Sequence, residues 1–165
     1  SLWGTNFDGE GVATKKQTIV EAGQLKTLFH NRKTAKKDQV ETTANAQKSS
    51  YKGTLSVGPI NLYIEPGTKS REELIGNLQE GVFITDLAGL HSGVNPISGD
   101  FSVAASGFYI KDGKIDVPIK QMTVAGNYFD YLKHVEAVGT DLQFAPGGYG
   151  SPSLYIKELS VTVDD

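Results

Sequence analysis

The sequence predicts an α+β fold, a mainly antiparallel sheet, curled or barrel-like, with two or three short helices. Three observations predict it. Short apolar runs recur, separated by turn-rich stretches that hold Gly, Pro or Asp. An Asp-Gly pair (Asp112-Gly113) separates two of these runs, a short-range hairpin signal because both positions tolerate φ > 0. Helical signals are few and brief. The 165 residues suit one domain, 1–165.

The elements follow in order. Phe7-Asp8-Gly9-Glu10-Gly11 is turn-rich. Thr18-Ile19-Val20 and the 25–29 run flank Glu21-Ala22-Gly23 and read as a hairpin. Asn31 caps a short helix through Lys37, whose exposed face carries Arg32, Lys33, Lys36 and Lys37. Residues 39–52 are polar and poor in apolar side chains, the segment expected to be a mobile loop. The 60–64 run reads as a strand stopped by Pro66-Gly67. Ser70 and Glu73 form a capping box for a helix with Leu74, Ile75 and Leu78 on one face, ended by Gly81.

Val82, Phe83 and Ile84 open a strand. A long Gly-punctuated loop follows, holding Asp86, His91, Asn95, Ser98 and Asp100. The small-residue run 103–107 leads into the strand before Asp112-Gly113. Pro118, in the return strand, predicts an edge position or an irregularity. Asn127 and Asp130 start a helix that places Phe129, Leu132 and Val135 inward and runs to Gly139. The 142–144 run is a short strand before Gly147-Gly148-Tyr149-Gly150. The last strand, 154–163, changes phase, because Leu154 and Ile156 alternate and then Leu159, Val161 and Val163 do. A bulge at Lys157-Glu158 accounts for that shift.

Charge and composition narrow the function. Residues 1–52 hold nine Lys/Arg and five Asp/Glu, a net of +4, and the remainder seven and fourteen, a net of −7. That balance gives no overall basic field for nucleic acid. No apolar run approaches the ~20 residues that span a bilayer. The absence of cysteine excludes disulfides and thiolate metal sites. His30, His91 and His134 are far apart and none precedes a Glu, so no His-Glu zinc helix occurs. His134-Val135-Glu136 echoes a deaminase motif whose cysteines are absent. Gly89-Leu90-His91-Ser92-Gly93 sets its serine one place late for a nucleophile elbow. Asp86, His91 and Ser98 are a conceivable triad only if the fold brings them together. Residues 107–115 miss the phosphate-loop spacing by one. Asp86 and Asp100 have two readings, acid–base chemistry or the capping of turns through backbone N–H groups. The chain opens Ser1-Leu2-Trp3-Gly4 without Met, as expected for a piece of a longer protein.

Asn95-Pro96-Ile97-Ser98-Gly99-Asp100-Phe101-Ser102, with Ala105-Ser106-Gly107-Phe108-Tyr109-Ile110 and Asp112-Gly113-Lys114-Ile115, resembles the C-terminal domain of the TldD/PmbA family. These bacterial and archaeal proteins are historically called modulators of DNA gyrase and are classed with metallopeptidases. Phe7 to Gly11, Glu21-Ala22-Gly23-Gln24-Leu25, the 32–37 helix, LYIEPG (62–67), TVAGN (123–127), VGTDL (138–142) and Ser151-Pro152-Ser153 extend the resemblance in order. It implies a two-subunit cytoplasmic protease. The TldD-type partner carries zinc on a His-Glu-x-x-x-His motif and a downstream cysteine; the PmbA (TldE) type lacks them. Where that cysteine would fall, near 142–152, this chain has Gly147-Gly148-Tyr149-Gly150. The resemblance therefore implies a zinc-free subunit without cofactor or catalytic residues of its own, paired with a TldD-type subunit that binds zinc. It would help bind unfolded peptide, with Asp86, His91, Asn95, Ser98 and Asp100 in peptide binding or the interface, and with neither nucleic acid nor membrane as partner. The alternative is an assembly module without a protease role, of the gyrase-modulator type.

Overall fold

The computed structural model describes residues 4–163; the outermost ends of the expected 1–165 domain lie outside the described residues. In chain order the elements are β1 (Val20–Glu21), β2 (Gln24–Leu25), α1 (Arg32–Asp38), β3 (Ala46–Gln47), β4 (Ser56–Val57), β5 (Leu62–Tyr63) and α2 (Arg71–Gly76). Then come β6 (Glu80–Ala88), α3 (Leu90–Gly93), β7 (Asp100–Lys111), β8 (Lys114–Asn127), α4 (Tyr128–Lys133) and β9 (Val135–Val138). The chain ends with β10 (Gln143–Ala145), β11 (Tyr149–Ser151), β12 (Leu154–Ile156) and β13 (Ser160–Val163). The fold is α+β and mostly antiparallel, as the sequence predicts. No described helix is long and apolar enough to cross a membrane.

Two compact units emerge, one comprising the chain through Tyr63 with Phe144–Gly150, the other Ile64–Gln143 with the residues from Ser151 onward. In the first, β1 and β2 form the expected hairpin, with Ala22 and Gly23 at φ 48° and 76°. Asn31 caps α1 by accepting from the Thr34 N–H at 2.8 Å, and the Thr34 hydroxyl accepts from the Asn31 N–H. A small sheet of order β10-β11-β5 sets β11 parallel to β5, with the Tyr63 and Phe144 rings edge-on at 5.7 Å.

The 39–52 segment corrects the sequence reading. Its middle is packed rather than mobile: Ala44, Asn45 and Ala46 are buried, whereas residues 48–52 are exposed. Polar side chains do there what apolar ones do elsewhere, satisfying backbone groups so that they can leave water. The Asn45 amide donates to Gly58 O at 3.2 Å, and the Gln17 amide donates to Thr43 O at 2.6 Å. The Asp8 carboxylate receives the N–H groups of Glu10, Val12 and Ala46. Burial of Asp8 opposes its ionisation, but those three N–H groups outweigh it and hold the carboxyl below the usual carboxylate range.

The second unit is built on an antiparallel sheet of order β13-β8-β7-β6. It is open, so the barrel-like alternative is corrected. Four strands are too few to close a barrel, and β6 and β13 remain its edges. Val103 lies opposite Val124, itself opposite Val161, while Ala105 lies opposite Met122. These pairs place Val103, Ala105, Met122 and Val124 in one buried cluster, with Met122 0 % exposed. Asp112 and Gly113 turn β7 into β8 at φ 49° and 73°, as predicted. Pro118 explains itself on both counts. The register slips on either side of its pairing with Phe108, and among the described residues β13 pairs only as far as Met122, so Pro118 has a described neighbour strand on one side alone.

Four further readings change. Among the described residues there are four helices rather than two or three, because α3 forms inside the expected loop. α2 has the predicted capping box, with the Ser70 N–H on the Glu73 carboxylate at 2.6 Å, but it ends at Gly76, before Gly81. The helix begun at Asn127 ends at Lys133, and Val135 belongs to β9, paired with β12. The phase change in 154–163 is a change of sheet rather than a bulge in one strand: β12 pairs with β9, and β13 pairs with β8.

Because the 43–47 backbone is tied on both sides, its amides exchange slowly. Hydrogen exchange of the Asn45, Ala46 and Gly58 N–H groups is expected to run at least about a hundredfold slower than that of Tyr51 and Lys52. Equal rates at the two sites refute the buried assignment.

Candidate functional site

The second unit carries a groove of about 1050 Å3 on one face of its sheet. Phe101, Val103, Val124, Leu159 and Val161 form its floor, because alternate residues of paired strands share a face. Leu74, Ile75 and Leu78, the apolar stripe read from the sequence, line it from α2 and the residues after it. Leu154, Tyr155 and Ile156 line it from β12, and Tyr128, Phe129 and Tyr131 from α4. Edge strand β6 contributes Val82, Phe83, Ile84 and Leu87. Polar groups are few, chiefly Arg71, Glu80, Asn95 and Lys157.

A single polar clamp holds the α2 and β12 sides together. Arg71, the first residue of α2, donates from Nη2 to Asp141 Oδ2 at 2.6 Å and from Nε to the same oxygen at 3.0 Å. The Ser153 N–H and hydroxyl, just before β12, reach the Asp141 carboxylate at 3.0 and 2.8 Å. The Arg71 guanidinium also lies 5.8 Å from the Phe83 ring centroid, within cation–π range. Burial of Asp141 works against its charge, but the Ser153 N–H, the Ser153 hydroxyl and Arg71 overcome that and lower its pKa from 3.8 to about 2.

The expected site residues divide. Asn95, Ser98 and Asp100 come together. The Asn95 side-chain oxygen accepts from the Ile97 and Ser98 N–H groups at 2.9 and 3.2 Å. The Ser98 hydroxyl donates to Asp100 Oδ2 at 2.7 Å, and Asn127 Nδ2 donates to Asp100 Oδ1 at 2.8 Å and to Ser98 O at 2.9 Å. Those bonds, Asn127 first and Ser98 second, hold the Asp100 carboxyl below its usual range. Asp86 and His91 stay outside this network: Asp86 is exposed on β6 opposite Ser106, and His91 is exposed on α3. The conceivable Asp86, His91 and Ser98 triad is therefore not assembled, since the Ser98 proton goes to Asp100. Asp100 is an acceptor, as in the second of its two readings, but its partners are the Ser98 hydroxyl and the Asn127 amide rather than backbone N–H groups.

The residue set sets chemical limits. Among the described residues, no three or more His, Cys, Asp or Glu side chains are grouped to hold a metal ion. What the arrangement can do is bind: an apolar trough beside β6, a sheet edge among the described residues, suits an extended chain. The site-building residues that sequence reasoning missed are Arg71, Asp141, Ser153 and Asn127. Asp141, Ser153 and Asn127 stood within stretches that carried the family resemblance; Arg71 gave no signal beyond its place after a capping serine.

Comparisons with known proteins agree with one another. Residues 2–163 match the model of the PmbA/TldA metallopeptidase C-terminal domain. A Methanothermobacter thermautotrophicus protein named metalloprotease is 33% identical over 94% of this chain and 36% of its own length. The Escherichia coli O157:H7 metalloprotease PmbA is 32% identical over 86% of this chain and 29% of its own length. Among solved structures, a Thermotoga maritima protein named as a modulator of DNA gyrase superposes with a TM-score of 0.85 at 39% identity, covering 96% of this chain and 35% of that one. TldE from Thermococcus kodakarensis gives 0.84 at 27% identity, covering 95% and 36%. The chain thus spans about a third of the length of these relatives.

The clamp has a defined pH signature. A carboxyl whose folded pKa lies below its unfolded value adds stability that is complete above the unfolded pKa and is lost as pH falls through the folded one. For Asp141, falling from 3.8 to about 2, that contribution is about 2 kcal/mol and disappears between about pH 4 and pH 2. Urea unfolding of Asp141→Asn across that range is expected to show a correspondingly shallower pH dependence. A slope equal to wild type refutes the clamp.

Proposed function

We infer the function from one premise: the chain belongs to the PmbA/TldD metallopeptidase family. Within that family we read it as a domain of the zinc-free, PmbA (TldE)-type subunit. It helps hold unfolded peptide for cleavage by a TldD-type partner in the cytoplasm. The observation that carries this reading is the apolar groove bordered by edge strand β6. An extended peptide added to such an edge gains main-chain hydrogen bonds, while its alternate side chains enter the trough.

The metallopeptidase description implies zinc, and the described residues do not fit it. His30 is buried beside Thr34 and Asp38, His91 lies on α3 and His134 at the end of α4, with no third ligand grouped at any of them. No step through a metal is derived for this chain, and zinc chemistry falls to the partner. The chain's own residues would bind, orient and desolvate peptide.

The test uses the full-length protein co-expressed with a TldD-type subunit and an unfolded peptide substrate. Leu87 lies on β6 and lines the groove. A charge there must be desolvated when the peptide is bound. Leu87→Lys is therefore expected to raise KM about tenfold, a loss of about 1.4 kcal/mol, with the pair intact. An unchanged KM removes peptide from this groove. Stoichiometric zinc on the full-length protein alone removes the zinc-free assignment. An intact pair without peptidase activity leaves the alternative, an assembly module without a protease role.

A further inference from the structure

One extra residue in β6 keeps a carboxylate out of the groove. β6 and β7 pair residue for residue from Glu80 to Ile84 and again from Asp86 to Ala88, with Thr85 left over between them. Alternate residues of a strand face opposite ways. Val82 and Ile84 pack on the buried cluster. An unbroken alternation from them would turn Asp86 into the groove and Leu87 away from it. The bulge at Thr85 reverses that outcome, since a bulge re-aims the side chains after it. Leu87 lies opposite Ala105, a member of the cluster, and lines the groove. Asp86 lies opposite Ser106, on the other face. The Thr85 hydroxyl donates to Ser106 O at 3.3 Å, which pins the bulge.

The charges that do line the groove are already engaged. Among the described residues they are Arg71, Glu80 and Lys157. Arg71 is held by Asp141 and Ser153, Lys157 lies 3.3 Å from Glu136, and Glu80 accepts from the Tyr109 hydroxyl. A charged side chain entering the trough gives up water and meets no free counter-ion. A free chain terminus meets the same cost. An apolar side chain instead meets Val82, Ile84 and Leu87 from β6, Leu154 and Ile156 from β12, and Phe129 and Tyr131 from α4. From Glu80 to Leu87 the edge runs about 20 Å at roughly 3.3 Å per residue, so about six extended residues fit beside it and about three of their side chains turn inward.

We propose that the groove receives the uncharged interior of an extended chain, with large aliphatic or aromatic side chains at alternate positions, and discriminates against Asp, Glu, Lys and Arg at those positions. This rests on the reading of the groove as a peptide site given above and adds its selectivity. Leu87 is the specificity-determining residue, and the bulge at Thr85 puts it in place.

The experiment compares kcat/KM for three peptides, acetylated and amidated at their ends, cleaved by the full-length protein paired with a full-length TldD-type subunit. They share one polar, unfolded sequence and differ at three alternate positions, which hold Leu, Asp or Lys. The Leu peptide is expected to exceed the other two at least about tenfold. Leu87→Asp supplies the missing counter-ion. It is expected to weaken the Leu peptide and improve the Lys peptide, so that their ratio falls at least about tenfold. Leu87→Asn is expected to weaken the Leu peptide without improving the Lys peptide, a contrast that a merely structural defect does not produce.

Equal kcat/KM for the three peptides on the wild-type pair, within about twofold, overturns the selectivity and leaves the peptide reading standing. Cleavage of none of them overturns the peptide reading and this proposal with it. A Leu-to-Lys ratio that Leu87→Asp leaves unmoved assigns the discrimination to the partner and overturns the proposal. So does a full-length Leu87→Asp protein that melts more than about 5 °C below wild type, because a segment of its own chain then fills the groove. Loss of pairing in that variant gives the groove to the other subunit and overturns it as well.

Discussion

The second unit depends on the carboxylate of Asp141. It accepts from Arg71 at the start of α2 and from both the N–H and the hydroxyl of Ser153 at the entry to β12. The backbone closes round it, since Gly139 N–H donates to Ser153 O, Thr140 N–H to Lys69 O, and Gly67 N–H to Gly139 O. Without Asp141 the guanidinium of Arg71 and the Ser153 N–H, both partly shielded from water, lose their acceptor, and leaving such groups unpaired costs more than a typical hydrogen bond contributes. α2 and β12 both contribute to the groove lining, and the Asp141 carboxylate ties the start of one to the entry of the other.

The same logic recurs wherever the family-like stretches fall. Asp8 gathers three N–H groups in the first unit. Asn95, Ser98, Asp100 and Asn127 lock one turn. The family resemblance rests on runs containing these residues, and their visible work is to hold backbone. That distinguishes two ways a polar residue can be singled out in a sequence. A catalytic carboxylate needs a perturbed pKa matched to proton transfer. Asp100 and Asp141 are shifted the other way, deeper into the ionised form, which suits a hydrogen-bond acceptor.

What was legible in the sequence was local. The Ser70 capping box, the Asn31 cap, the Asp112-Gly113 turn and the Ala22-Gly23 turn depend on residues within four positions of one another, and each is found as read. What was not legible was set at a distance. Residues 39–52 look like a solvated loop because the only residues they bury are two alanines and an asparagine; their partners, Asp8, Gln17, His30, Gly58 and Pro59, lie as many as 38 positions away. The phase change at Lys157-Glu158 was visible, but a bulge and a change of sheet leave the same mark, and only the pairing of β12 with β9 decides between them. In the site, three of the five expected residues converge because they share one turn, whereas Asp86 and His91 belong to β6 and α3, whose directions the loop's composition did not reveal.

Holding turns with polar locks has a consequence for the apolar residues. Turns that are pinned by Asp141, Asp100 and Asp8 need no hydrophobic side chains to hold them, and few are buried. Among the described residues, the Val103, Ala105, Met122 and Val124 cluster forms the core of the sheet, with Ile110 and Leu74 also buried. Leu87, Leu90, Phe129 and Ile97 remain exposed. A domain stabilised mainly by burial would have drawn those residues inward, at about 25 cal/mol per Å2 of apolar surface removed from water. Here the turns are fixed by other means, and the apolar surface stays accessible on a rigid frame. Folding of these turns therefore does not draw on the exposed apolar side chains.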